Sequence, residues 1–98
     1  MENTVQPIIE IQKEDVVNLS FPSDPVISDV SEHKKLMEDL HKATSLGNIS
    51  KHKVYIVFRD SEGPKKVNTT VWAMTEKSIL LKKGVFLPIH RIVSVDLL

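Results

Sequence analysis

The feature that most limits what this chain can fold into is a change of hydrophobic period partway along it. In "SDVSEHKKLMEDLHKATSLGN", residues 28–48, the apolar side chains Val30, Leu36, Met37, Leu40, Ala43 and Leu46 recur every three or four positions. That spacing lays them on one stripe of an α-helix. From Lys51 onward the period is two: in "KHKVYIVFRD", Val54, Ile56 and Phe58 fall on one side of an extended strand and Tyr55, Val57 and Arg59 on the other. A one-stripe helix must bury that stripe against another element, and a strand needs a cover for its apolar face. With 98 residues there is room for one core, so the two segments are expected to share it.

The helix ends are legible too. Asp29 with Glu32 three residues later makes a capping-box-like start. Gly47-Asn48 is the expected left-handed stop, with Ile49 closing the hydrophobic contact beyond it.

After the first strand, "DSEGPKK" carries turn chemistry with Gly63-Pro64 as its punctuation. "VNTTVWAMT" reads as one β-branched strand, with Val67, Thr69, Val71 and Ala73 opposite Asn68, Thr70, Trp72 and Met74. "SILLKKGVFLPI" reads as two strands joined at Lys83-Gly84, where glycine accepts positive φ, and "VSVDLL" as a last one. Only His90, Arg91 and Ile92 separate the last two strands. That is room for one turn of 3₁₀ helix, with His90 and Arg91 as its outward corner. Five short strands on brief connections predict a strongly bent antiparallel sheet that closes into a small barrel. The expected fold is therefore α+β, an N-terminal helix followed by that five-stranded sheet.

Residues 1–25 read as a partly ordered N-terminal arm in front of a domain spanning 26–98. "PIIEIQ" alternates long enough to add a short edge strand, and the two prolines of "FPSDP" stop regular structure. Ile8, Ile9, Ile11, Val16, Val17, Leu19 and Phe21 are too many apolar residues for a solvated tail, so part of the arm is expected to dock on its own domain or on a neighbouring copy.

The C-terminal half resembles a group of small bacterial proteins of no assigned activity. The resemblance is carried by Thr69-Thr70-Val71-Trp72-Ala73, by Leu81-Lys82-Lys83-Gly84 and by Leu87-Pro88-Ile89-His90-Arg91-Ile92. More distantly, the helix-then-strands order is similar to Sm-like and SH3-like small barrels and to small Rho-inhibiting barrel proteins. That likeness implies an RNA-binding alternative, although the Sm signature of aspartate-x-x-x-asparagine and I-R-G is missing here.

Charge speaks to association rather than to fold. The net charge is zero, yet residues 1–50 hold four basic and nine acidic side chains and residues 51–98 hold nine basic and four acidic. A nucleic-acid footprint would draw on Lys51, Lys53, Arg59, Lys65, Lys66, Lys82, Lys83 and Arg91, with Tyr55, Trp72 or Phe86 as stacking surfaces. The competing reading makes the lysines guards of exposed strand edges, and Trp72 and Phe86 either cover for the core or a partner surface. Trp72 is expected at the interface between helix and barrel.

No catalytic group is expected. There is no cysteine, no G-x-S-x-G elbow and no glycine-rich phosphate loop, and a chain this small leaves little room for a ligand pocket. His33 and His41 stand eight apart, about 12 Å along a helix axis, too far to share a metal. No cofactor and no metal are expected. The absence of cysteine fits a cytoplasmic setting, and no apolar run reaches the roughly 18 residues of a membrane span. The expected role is a non-enzymatic interaction module that binds a protein partner or its own copies.

Overall fold

The computed structural model describes residues 7–97, so residues 1–6 of the arm lie outside the described residues. The elements run β1 (Ile9–Ile11), a 3₁₀ turn (Lys13–Asn18), α1 (Val30–Ser50), β2 (Val54–Asp60), β3 (Gly63–Thr69), β4 (Val71–Met74), β5 (Ser78–Leu81), β6 (Val85–Pro88), a second 3₁₀ turn (Ile89–Arg91) and β7 (Ile92–Leu97). The chain is α+β, but the helix stands in the middle of the order rather than at its start. Seven strands replace the expected five, and they form two sheets instead of a closed barrel: β1-β3-β2-β7 and β4-β5-β6.

Two local departures raise the strand count. β1 is the brief edge strand of the arm, paired parallel to β3 with Ile9 opposite Lys65. The run "VNTTVWAMT" is divided at Thr70: β3 ends in the large sheet at Thr69, and β4 begins in the small sheet at Val71. At the division the Thr70 carbonyl accepts from the Lys82 amide at 3.0 Å, a bond that ties the chain to the small sheet. The turn after β2 also sits earlier than expected. Gly63 and Pro64 belong to β3, opposite Asp60 and Arg59, and Ser61-Glu62 make the reversal.

The barrel fails to close because other elements fill its gaps. α1 packs on both β4 and β7, and the first 3₁₀ turn packs on both β6 and β3. The core lies between the sheets: Val54, Ile56, Phe58 and Val67 from the large one meet Val71, Ile79, Leu81 and Leu87 from the small one. Leu36, Leu40 and Ala43 enter from α1 and Val16 from the 3₁₀ turn. At about 25 cal/mol per Å² of apolar surface, each such side chain contributes on the order of 2 kcal/mol.

The helix begins as its sequence requires. The Asp29 side chain accepts from the amides of Ser31 and Glu32 at 2.7 and 3.1 Å, which satisfies two donors that a helix start leaves open. Its end does not lie at Gly47-Asn48. The helix continues through Ser50 and stops at Lys51, which takes the left-handed conformation at φ 56°. Gly47 is instead buried within the helix, where an added Cβ would meet the Val71 carbonyl oxygen and lie 3.0 Å from Thr70 Cγ2. Glycine is there for close packing of helix on strand, not for a turn.

Candidate functional site

The outer face of the small sheet carries its most exposed apolar side chains. Along β5 the buried Ile79 and Leu81 face the core, which leaves Ser78 and Leu80 on the outside; along β6 the buried Val85 and Leu87 leave Phe86 and Pro88 outside. Pairing brings these residues into rungs, Leu80 opposite Phe86 and Ser78 opposite Pro88, with Ala73 of β4 beside Leu80. An irregularity between Val71 and Ala73 inserts Trp72 as an extra residue on β4. Phe86 is 58% exposed and Trp72 43%. They are the two exposed aromatic side chains among the described residues.

Trp72 lies beside the end of α1, its carbonyl accepting from Asn48 Nδ2 at 3.1 Å, while its side chain stays exposed.

The basic residues do not gather on one surface. Lys65 alternates with Val67 toward the core and is buried, its Nζ 3.0 Å from both carboxylate oxygens of Asp60. Burial acts to raise the Asp60 carboxyl. The hydrogen bond from Lys65, the Glu62 amide, the Lys65 charge and the Gly63 amide outweigh it and hold the carboxyl below its ordinary range. Lys66 points away from the core, its Nζ 5.1 Å from the centre of the Tyr55 ring, within cation–π range. Lys82 and Lys83 are exposed in the β5–β6 loop, where Lys83 at φ 71° and Gly84 at φ 82° both occupy left-handed backbone. Glu14 of the first 3₁₀ turn feels the Lys83 charge. Its carboxyl lies below the ordinary range, chiefly through a backbone hydrogen bond, with Lys13 and Lys83 adding to it.

Arg91 is the clearest reversal. It is buried, not the outward half of a corner: Nε donates to the Arg59 carbonyl at 3.0 Å, and Nη1 donates to the Asp24 carbonyl at 2.7 Å and to Asp24 Oδ1 at 3.3 Å. His90 is exposed, yet its Nε2 lies 2.9 Å from the Pro22 carbonyl, and its own carbonyl accepts from Val26 at 2.9 Å. The two residues strap segment 22–26 to the sheets. Arg91 is thereby spent on the fold and leaves the list of binding residues.

A cleft of about 530 Å³ opens beside that strap, contrary to the expectation that a chain this small has no room for one. Ile27, Leu36, Ile89 and Ile92 give it an aliphatic wall, and Ser78 and Pro88 bring it to the edge of the outer sheet face. His33, Glu76, Lys77 and His90 stand around it. Among the described residues no group of three or more His, Asp or Glu side chains is placed to hold a metal ion. In the sequence 56 positions separate His33 from His90, which hides the fact that the start of α1 and the second 3₁₀ turn border one opening. Among the described residues no helix is long and apolar enough to cross a membrane. Comparison with protein-family models, with curated proteins and with solved structures finds no match.

Proposed function

We propose that this chain is a non-enzymatic interaction module of the cytoplasm, and that the outer face of the small sheet is the surface that meets its protein partner, another copy included. The observation that carries the reading is the Leu80–Phe86 rung with Trp72 alongside, a half-buried leucine and two exposed rings on the outside of a sheet whose other face packs on the core. Aromatic side chains in such a position are the usual anchors of protein interfaces. RNA binding is the lesser reading. Of the eight basic residues it relied on, Lys65 is held by Asp60, Arg91 by Asp24, Lys66 lies against Tyr55 on the other sheet and Arg59 is half-buried, so the exposed Lys51, Lys53, Lys82 and Lys83 remain.

The test is a quantitative capture experiment with the full chain, comparing wild type with Phe86→Asp on this face and Val57→Asp on the outer face of the large sheet. Each variant is first checked for native circular dichroism. Proteins, or further copies of the chain, that are retained by wild type and Val57→Asp but lost with Phe86→Asp support the reading. A set unchanged by Phe86→Asp overturns it. RNA bound in proportion to Lys82 and Lys83 would favour the lesser reading.

A further inference from the structure

We infer that the partner is held as an extended peptide lying along β5 and β6, with an apolar residue in the cleft beside Ile89 and acidic residues against the Lys82–Lys83 loop. This rests on the reading of the small sheet's outer face as the partner surface. What carries it is the continuity of three features along one hairpin. Ser78 and Pro88 are paired across the two strands and both border the cleft. Two positions further along, on the same face, the half-buried Leu80 and the exposed Phe86 form the apolar rung. Just past the Leu81–Val85 pair, the loop Lys82–Gly84 closes the hairpin. Cleft, apolar rung and basic loop therefore follow one another in a line. From Pro88 to Gly84 is four residues of chain, about 13 Å at about 3.3 Å per residue. An extended peptide crosses that distance in about four residues of its own.

The chemistry at each end selects the occupant. The cleft wall is aliphatic, and its volume of about 530 Å³ takes a leucine, methionine or phenylalanine side chain together with part of its backbone. Around it stand Lys77, Glu76 and His33, which carry both donors and acceptors, and His90, whose Nε2 is already held to the Pro22 carbonyl. A peptide backbone offers both kinds of partner, whereas Glu76 repels a small carboxylate at this spot. Charge discrimination falls to the other end. Both loop lysines are exposed; the nearest acid to act on Lys83, Glu14, is itself paired with Lys13 at 3.5 Å, and Lys82 has no acidic partner among the described residues. An acidic residue of the peptide completes that loop.

Random linear peptides displayed on phage, selected on the intact chain, test this directly. Selected sequences are expected to share a large apolar residue separated by roughly four positions from one or two acids. Their affinity is expected to fall about fivefold with Lys82→Glu, the effect of one exposed charge pair, and at least as far with Ser78→Phe, which fills the cleft mouth. Selected sequences without an acidic residue, affinities indifferent to Ser78→Phe, or no selected sequence at all would overturn the inference. If Phe86→Asp still abolishes partner capture in those cases, the sheet-face reading stands and only its peptide form is lost. If capture is also unchanged, both fall.

Discussion

Arg91 and Asp24 lie 67 positions apart in sequence and are joined by a 2.7 Å hydrogen bond from a buried guanidinium to a backbone carbonyl. Because the same side chain donates to the Arg59 carbonyl, one residue fastens the arm to the end of β2. The arm is in this sense a working part of the core, and Val16 and the tilted Phe21–Phe58 ring pair at 6.0 Å show the same dependence.

Arg91→Ala is expected to destabilise the chain by about 3 kcal/mol, because it strips charged hydrogen bonds from two carbonyls and leaves a void. Arg91→Lys is expected to recover little, since one ammonium cannot span both acceptors from a single position. Urea denaturation gives the magnitude. Limited proteolysis is expected to cut within residues 20–28 of the alanine variant before it cuts elsewhere.

The Asp60–Lys65 pair makes stability pH-dependent. The Asp60 carboxyl is depressed in the folded chain, so its contribution is fully present above the unfolded value of about 3.9 and is lost as pH falls through the lower folded value. Acid titration of the unfolding free energy is expected to show a fall below about pH 4 in wild type that is reduced in Asp60→Asn. At neutral pH, Asp60→Ala, which leaves the Lys65 ammonium buried without its carboxylate, is expected to lose about 3 kcal/mol.

Gly47→Ala is a case in which helix propensity and packing disagree. Propensity favours alanine by about 1 kcal/mol, but the added methyl would run into the Val71 carbonyl, where backbone on both sides has no freedom to yield. The expected outcome is a net destabilisation of about 2 kcal/mol with a lower thermal midpoint. A stabilised Gly47→Ala would mean that helix and strand stand further apart than described.

Much of the fold was readable where period and packing agree. Asp29 is the cap that its spacing with Glu32 indicated, the hairpin loop falls at Lys82–Gly84, and one 3₁₀ turn separates β6 from β7. The failures share a physical cause, namely that local pattern is silent about which distant surface lies opposite. Gly47 looks like a stop until Val71 is placed against it. Thr70 looks like any strand residue until Lys82 captures its carbonyl, and the closed barrel was lost to α1 and the first 3₁₀ turn occupying the gaps. Lys65 was different. Its parity with Val67 already pointed it toward the core, and Asp60 five positions earlier was its partner in plain view. The cleft, assembled from four separate stretches of chain, had no local signal at all.

Whether partners meet the outer face of the small sheet is decided by site-directed photo-cross-linking in the producing cell. A benzophenone amino acid at position 86, where it replaces an exposed ring, is compared with the same group at position 57 on the large sheet. Discrete protein adducts are expected from position 86 that are absent from position 57. Equal adducts from both positions, or none from position 86, would contradict the sheet-face reading.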